Sequence, residues 1–428
     1  MTIRRLTILF LLITMIFGSF TAFAQNKGYA KDRLSDMALI YQGGTHRPDW
    51  TVNELTPYVV HKFVDGTMEW FFDSFLFLEF ETARPNGYGF GNGYGIAPAR
   101  KTEWLWLLDR IFEKGKALDA LNTTIGNFKA ELGEPNFRHK IVLSLVVPCD
   151  NQTNWGELNG DALNFIFRSN QLEAEYWYID QLISRFNAAG YENFDLEGFY
   201  WLDESTAASA DLPTTVSTYV HNKGYKFYWI PYWNANGAAN WSTYGFDVAY
   251  QQPNHYFNKN ILDSRLDDAC HFAKQYGLGL EMEFESSVLY ENTDSYYSRL
   301  ETYIDKFEKN GVFDSSSIAY YSGTKAILDM YNSSYIENTQ ILDRIAKHIK
   351  ERHATNTSGI NDVTADKNEY SFATASNGRI NIREGVKHVE CYSTSGQLVA
   401  QGKGSLSVFP GFYIVKDENG HIVKLCVR

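Results

Sequence analysis

The sequence predicts an α/β protein, a (β/α)8 TIM barrel followed by a small C-terminal all-β sandwich. Three observations predict this fold class. Eight short runs rich in β-forming residues precede residue 330, stretches with helical periodicity separate them, and after residue 368 only strands and turns are expected. Parallel strands need crossover connections, and closing eight of them into a ring removes every exposed edge.

The predicted elements alternate along the chain. The strands are Met37–Gln42, Phe72–Phe80, Lys140–Pro148, Phe194–Trp201, Lys226–Trp233, Asp247–Gln252, Gly277–Glu285 and Ser317–Ser322. The amphipathic helices are Thr102–Glu131, Asp161–Ala189, Leu212–Lys223, Ile261–Gln275, Asp294–Lys309 and Ile336–His353. Glycines 190, 224, 277 and 311 stand between a helix and the following strand, where a left-handed residue commonly ends a helix.

An open doubly wound sheet is the alternative fold. The segment after the first strand, residues 41–46, lacks the glycine fingerprint of a dinucleotide site. It leads into Arg47 and Pro48 rather than into a helix start. The closed barrel is therefore favoured.

The N-terminus has the pattern of a secretory signal peptide over residues 1–24. Arg4 and Arg5 precede an apolar run, and Ala22-Phe23-Ala24 forms a small-residue cleavage site. We therefore expect a secreted or envelope protein, located in the periplasm or on the outer surface. The apolar run is too short for a membrane span, and no later stretch reaches about 20 apolar residues.

Composition excludes some partners and favours others. The chain has 51 acidic against 39 basic residues, a net charge of -12, which argues against nucleic-acid binding through phosphate contacts. Aromatic residues make up 16%, enough for stacking platforms that suit a carbohydrate. The 4 cysteines and 10 histidines lack metal-site spacing, so no metal or cofactor is predicted. The sequence does not decide whether Cys391 and Cys426 form a disulfide.

The polar segment 355–368 is predicted to link a barrel over residues 25–354 to a sandwich over residues 369–428. Segments 391–399, 410–416 and 423–428 give the sandwich a resemblance to the C-terminal sorting domain of Bacteroidetes secreted proteins. This resemblance implies contact with an export machinery. The alternative is an accessory sandwich without a sorting role.

Acidic residues end two of the predicted strands. The fourth strand is followed by Asp203 and Glu204, and the seventh carries Glu281, Glu283 and Glu285 at alternate positions, hence on one face. Active sites of such barrels lie at the carboxyl ends of the strands. Buried carboxylates repel one another and need polar partners or raised pKa values, which is unusual in a purely structural strand.

Paired carboxylates across a cleft are what glycosidic hydrolysis requires. We expect Glu204 to be the acid/base and Glu283 the nucleophile, with Asp203, Glu285 and Glu281 as alternatives. A separation of about 5–5.5 Å would indicate retention and roughly 6.5–9.5 Å inversion. The acids after strand four would also suit a helix N-terminus. The alternative function is a barrel that binds glycan without cleaving it.

Polar and aromatic residues at the other strand ends are candidates to bind sugar. They are Glu81, Asp150, Trp201, Tyr232, Trp233, Asn234, Gln252, Asn254 and Tyr256. Trp233 is the first candidate for stacking. The glycine-rich loop 87–95 lacks the Lys-Ser/Thr of a phosphate loop, so we expect a mobile lip with aromatic residues at its tip; the alternative is a surface loop without substrate contact.

Segments 41–43, 198–204 and 279–284 carry a resemblance to the domain-of-unknown-function 4855 family, secreted bacterial proteins regarded as glycoside-hydrolase-like barrels. The resemblance covers most of residues 37–330. The positions of these acids, at strands four and seven, are also similar to the arrangement in glycoside hydrolase clan A. Members of that clan usually carry Asn directly before the strand-four acid, and this sequence departs from the pattern with Asp203.

Overall fold

The computed structural model describes residues 27–32, 34–206, 211–359, 373–376, 379–383, 385–393, 398–408, 411–418 and 422–427. The chain divides into two compact units, one ending at Asn356 and one beginning at Thr357. The predicted signal peptide and residues 360–368 of the predicted linker lie outside the described residues. Within the described ranges, no helix combines the length and the apolar character that crossing a membrane requires.

The first unit is a closed barrel of eight parallel strands, which confirms the predicted fold class. Its strands are β1 Asp36–Tyr41, β2 Ser74–Leu78, β3 His139–Ser144, β4 Phe194–Trp201, β5 Lys226–Trp229, β6 Val248–Gln251, β7 Gly279–Glu283 and β8 Ile318–Tyr321. Met37 of β1 pairs with Ser74 of β2 and with Ala319 of β8, which closes the ring. Each strand corresponds to a predicted one.

Helices surround the barrel. They are α1 Val52–Val59, α2 Lys101–Ile111, α3 Ala117–Leu132, α4 Arg168–Ala189, α5 Asp211–Asn222, α6 Ser264–Tyr276, α7 Tyr297–Lys309, α8 Val312–Ser315, α9 Ala326–Asn332 and α10 Ile336–Gly359. Short 3-10 helices cover Ala238–Tyr244 and Ser286–Val288. Small strand pairs join Val60–Lys62 to Met68–Trp70, Tyr88–Gly89 to Ala97–Pro98, and Gly156–Leu158 to Asp161–Leu163.

Three predicted helices differ from the observed ones by more than three residues at a boundary. The single helix predicted over Thr102–Glu131 is two helices, because Gly115 between them adopts a φ of 79° that a helix cannot contain. The segment from Asp161 forms a hairpin, and α4 begins only at Arg168. At the other end, α10 continues to Gly359, so residues 355–359 of the predicted linker are helical.

The amino-terminal end of the barrel is closed by Arg352 of α10. Its guanidinium pairs with buried Asp36 at 2.8 Å and donates to the carbonyls of Ser35 and Ser316, each at 2.7 Å. Asp73 accepts the backbone N–H groups of Ser35 and Asp36 at 2.9 and 3.1 Å. This network holds the starts of β1, β2 and β8 together at the end opposite the predicted site.

The second unit confirms the predicted sandwich of antiparallel sheets. One sheet contains β9 Ala373–Ser376, β10 Arg379–Ile382 and β13 Ser405–Ser407, and the other contains β11 Val389–Ser393, β12 Leu398–Gly402, β14 Gly411–Asp417 and β15 Ile422–Val427. Ile380 and Leu406 of the first sheet share a core with Val389 and Val415 of the second. Cys391 is a buried free thiol in this core.

Candidate active site

The acids of β4 and β7 meet at the carboxyl end of the barrel. Glu204 follows β4, while Glu281 lies within β7 and Glu283 ends it. Burial raises the pKa values of Glu281 and Glu283, and the charge of nearby Glu204 raises both further. Glu281 and Glu283 are therefore both near Glu204.

Glu283 is held by four hydrogen bonds although only 1% of it is exposed. Its Oε1 accepts from the backbone N and from Nδ2 of Asn254 at 3.1 and 3.2 Å. Its Oε2 accepts from the backbone N of His255 at 3.2 Å and from the Tyr303 hydroxyl on α7. Burial raises the pKa of Glu283 to about 7, and the hydrogen bonds oppose that rise by stabilising the anion.

Side-chain amides after β6 connect Glu204 to Glu283. Gln252 Nε2 donates to Glu204 Oε1 at 2.7 Å, and Asn254 Nδ2 donates to Gln252 Oε1 at 3.1 Å. Asn254 has a φ of 48°, a left-handed conformation that Asn adopts more readily than most residues. The backbone N of Trp233 fixes this amide further by donating to Asn254 Oδ1 at 2.7 Å. The two carboxyl groups thus share one hydrogen-bonded network.

Glu204 is the more accessible member of the pair. It is half-buried, whereas Glu283 is buried. Burial raises the pKa of Glu204, and the charge of Asp203 adds to the rise, while the hydrogen bond from Gln252 opposes it. A carboxyl group with a raised pKa retains its proton into the pH range where a general acid is needed.

Glu281 lies deeper in the ring and has no hydrogen-bond partner among the described residues. Only 3% of it is exposed. Burial raises its pKa well above the ordinary value, and the charges of Glu283 and Glu204 add to that effect. Its charge also acts on the hydroxyl groups of Tyr41 and Tyr321. The setting therefore disfavours the charged form of this carboxyl group.

Asp203 is bound by the glycine-rich loop through Asn92. Its Oδ1 accepts from the backbone N of Asn92 at 3.1 Å, and its Oδ2 accepts from Asn92 Nδ2 at 2.8 Å. Burial raises the pKa of Asp203 to about 6. A Cβ on Gly91 would lie 2.5 Å from Asp203 Oδ1, so this close approach requires glycine. The predicted aromatic tip is not fully exposed, because Phe90 is fully buried and the loop packs on Asp203 through Asn92.

Asp150 belongs to the network around Asn92. Its backbone N donates to Asn92 Oδ1 at 3.2 Å, and its Oδ1 accepts from Gln171 Nε2 at 3.0 Å. Glu175 on α4 is fully buried nearby, and neither carboxyl oxygen has a partner among the described residues. Burial raises the pKa of Glu175 well above its ordinary value, and the charge of Asp203 raises it further.

A cavity of about 370 Å³ opens where β1, β2, β7 and β8 end. Glu285 lies in its wall and accepts from the Tyr321 hydroxyl at 3.0 Å. Glu81 is half-buried beside it and pairs with Arg84 at 3.3 Å. Glu285 is therefore placed in the cavity wall rather than in the network that joins Glu204 to Glu283.

Two of the predicted stacking residues are buried and cannot contact a sugar in this structure. Trp201 is 1% exposed because it points into the helix layer and packs edge-on against Phe227. Tyr256 is 1% exposed, and its hydroxyl lies 3.0 Å from Ser287 Oγ. Both assignments as substrate-binding residues are wrong, since the sequence shows the aromatic ring but not the helix that covers it.

The three candidates after β5 differ in accessibility. Tyr232 is 40% exposed, and Asn234 is exposed with a φ of 64°. Trp233 is half-buried, and the Arg265 guanidinium lies 4.9 Å from its ring centroid. Since Arg265 covers one ring face, Tyr232 is the better stacking surface.

The sequence did not predict three residues of the site. Tyr303 lies on α7, 20 residues after Glu283, and nothing in the local pattern distinguishes it. Asn92 is 111 residues from Asp203 in the chain, although the unusual loop around it was noticeable. Tyr41 ends β1 and lines the cavity.

One group among the described residues has the spacing of metal ligands. Oxygen or nitrogen atoms of Asp36, Asp73 and His353 lie within 4.8 Å of one another. The group is at the amino-terminal end of the barrel, where Arg352 already pairs with Asp36 at 2.8 Å. That guanidinium supplies the positive charge that a metal ion would otherwise provide.

Comparisons with known proteins identify one family. A family model described as Domain of unknown function (DUF4855) matches residues 36–347. No curated protein sequence matches. An Anoxybacillus alpha-amylase structure is similar at 11% identity and a TM-score of 0.39, covering 92% of this chain and 98% of its own. A structure of the tryptophan synthase alpha-subunit from Pyrococcus furiosus is similar at 12% identity and a TM-score of 0.34. The similarity covers 75% of this chain and 99% of the alpha-subunit.

Proposed function

The chain belongs to the DUF4855 family, and from the geometry of its barrel mouth we propose that it is a glycoside hydrolase. The observation that carries the proposal is the hydrogen-bonded chain from Glu204 through Gln252 and Asn254 to Glu283. It joins a half-buried carboxyl to a buried one at the carboxyl end of a barrel, the usual place for catalysis in this fold.

Glu204 suits the role of general acid. Burial raises its pKa, so that it retains a proton, and its half-buried side chain has access to the mouth. Gln252 is its one side-chain partner among the described residues, and the hydrogen bond at 2.7 Å orients the carboxyl group. In the proposed reaction Glu204 gives its proton to the glycosidic oxygen as the bond to the anomeric carbon breaks.

Glu283 suits the role of nucleophile better than its neighbours do. Four donors stabilise its anion, whereas Glu281 has none among the described residues and burial raises its pKa well above the ordinary value. Glu285 lies in the cavity wall with Tyr321. In the proposed retaining mechanism a Glu283 oxygen bonds to the anomeric carbon, and Glu204 then takes a proton from the water that releases the sugar.

The proposed site of action is outside the cytoplasm. Residues 1–24 have the composition of a secretory signal, and the substrate class we propose is an extracellular polysaccharide or glycan. The C-terminal sandwich, by its resemblance to sorting domains, would then contact an export machinery.

The test is digestion of a broad glycan panel with measurement of released reducing ends. We expect the unmodified protein to cleave at least one glycan, and Glu204→Gln and Glu283→Gln each to lower turnover by about 10³-fold or more while glycan binding persists. Glu134→Gln is the matched control, because that exposed side chain precedes β3 at the opposite end of the barrel. Its turnover should stay close to that of the unmodified protein.

Product analysis by NMR assigns the stereochemistry. Retention of the anomeric configuration supports the nucleophile role of Glu283, and inversion would make it a base that activates water. Binding of a glycan without any cleavage across the panel would contradict the hydrolase proposal and favour a glycan-binding barrel.

A further inference from the structure

The cavity beside the acids is rich in hydrogen-bond donors. Tyr41, Arg47, Arg84 and Tyr321 line it, and Glu285 is the one carboxylate among its lining residues. Tyr321 is the strand partner of Glu283 in the pairing of β7 with β8, so the cavity is next to the proposed catalytic pair. A cavity of about 370 Å³ accommodates one sugar ring of a longer chain.

Arg47 is fixed in the cavity wall with donors to spare. Its Nε donates to Glu79 Oε2 at 3.2 Å and its NH1 to Thr324 Oγ1 at 3.1 Å, while its guanidinium lies 4.6 Å from the Tyr41 ring centroid. A guanidinium carries five N–H donors, so most of them have no partner among the described residues. Its side chain is only 11% exposed, which makes its position well defined.

The partner of Arg47 does not fully neutralise it. Glu79 is buried, and its carboxylate also accepts the backbone N–H groups of Gly44 at 3.0 Å and Phe80 at 2.9 Å. Its negative charge is thus shared among several donors. Arg84 adds a second guanidinium, which pairs with Glu81 at 3.3 Å and whose side chain is 53% exposed and can reach a ligand. The cavity lining therefore holds two guanidiniums and the carboxylate of Glu285, while the carboxylates that pair with the guanidiniums, Glu79 and Glu81, are not among the lining residues.

We propose that this cavity binds an anionic sugar, a glycosyl unit carrying a carboxylate or a sulfate ester, adjacent to the bond that is cut. Arg47 offers the paired N–H geometry that two oxygens of a carboxylate or of a sulfate ester accept, and Arg84 adds charge at the rim. Burial raises the pKa of Glu281 well above its ordinary value, which disfavours a negative charge on this neighbouring acid. The inference deepens the proposed function and depends on it for the nature of the ligand.

The test measures binding separately from cleavage. Full-length protein carrying Glu204→Gln is titrated by calorimetry with oligosaccharides of polygalacturonate and of carrageenan, and with their carboxyl-reduced and desulfated forms. Each pair has the same linkages and differs in charge, and the two pairs distinguish carboxylate from sulfate. We expect at least one anionic form to bind about tenfold more tightly than its neutral counterpart, with the difference shrinking at high salt.

Two arginine variants locate the effect. Arg47→Gln should abolish the preference for the anionic form. Arg84→Gln, at an exposed position where folding is safe, should reduce it severalfold. Arg185→Gln is the control, because its ion pair with Asp109 at 2.7 Å lies in the helix layer. Equal affinity for charged and neutral forms, absence of binding to every anionic form, or a preference that survives both variants would overturn the proposal.

The outcome separates this inference from the hydrolase proposal. Cleavage of neutral and anionic glycans at equal rates by the unmodified protein would leave the hydrolase intact and remove the anionic subsite. Binding of an anionic glycan through Arg47 without any cleavage would support the anionic subsite and contradict the hydrolase proposal.

Discussion

The effect of Glu283→Gln on the free energy of unfolding should depend on pH. The substitution should destabilise the protein at acidic pH and not at alkaline pH. Burial raises the pKa of Glu283 from 4.5 to about 7, so the folded protein holds this proton more tightly than the unfolded chain. The free energy of unfolding therefore falls as the pH rises from about 4.5 to about 7 and is level above that. The displacement corresponds to about 3 kcal/mol.

In the Glu283→Gln variant the free energy of unfolding no longer depends on the titration of residue 283. The substitution instead lowers it by an amount that is the same at every pH. The side-chain amide that replaces the carboxylate can present only one oxygen, so the buried N–H of His255 loses its acceptor, at a cost of about 1–3 kcal/mol. At pH 5 the variant should be less stable than the unmodified protein. At pH 8 it should be as stable or more so, a relative gain of about 3 kcal/mol.

Urea unfolding followed by tryptophan fluorescence measures this difference. All 10 tryptophans precede residue 356, so the signal reports the barrel unit. Glu134→Gln is the control, because that side chain is 74% exposed and its replacement should cost the same at both pH values. An equal cost of Glu283→Gln at pH 5 and pH 8, or a larger one at pH 8, would refute the reasoning.

Three further predictions follow from the same contacts. In Asn254→Gly the glycine tolerates the φ of 48°, but the amide between the two carboxyl groups is lost. Turnover should fall at least about tenfold, while the free energy of unfolding in urea changes by about 1 kcal/mol. Unchanged turnover would contradict this prediction. Gly91→Ala places a Cβ 2.5 Å from Asp203 Oδ1 and should cost about 1–3 kcal/mol in urea unfolding, and a neutral result would show that the loop shifts freely. Arg352→Met leaves Asp36 buried without its cation and should cost about 3–5 kcal/mol, whereas a loss below about 1 kcal/mol would mean that the barrel end does not depend on this pair.

The barrel was predictable because its rules are local and topological. Apolar runs of strand length alternate with helical stretches, and β4 was predicted to the residue at Phe194–Trp201. The acids after β4 and on β7 followed from alternation and from the parallel arrangement of the strands. The helix interrupted at Gly115 was missed, because a single glycine is compatible with either a tolerated or a broken helix.

The details of the site were less accessible to sequence reasoning. Tyr303 and Asn92 reach the acids from other segments, so their roles depend on tertiary packing. Trp201 and Tyr256 were expected to contact sugar, and the structure buries both. An aromatic residue at a strand end is equally compatible with the helix layer and with the mouth of the barrel.

The most direct test of the proposed catalytic pair is azide rescue. Glu283→Ala and Glu204→Ala are incubated with azide and an activated aryl glycoside of the sugar that the unmodified protein releases, and the glycosyl azides are identified by NMR. The proposed roles predict a product of inverted configuration from Glu283→Ala, since azide replaces the nucleophile, and of retained configuration from Glu204→Ala. The proposed roles would be contradicted if azide rescued neither variant, or if it rescued an alanine variant of Glu281 or Glu285 instead.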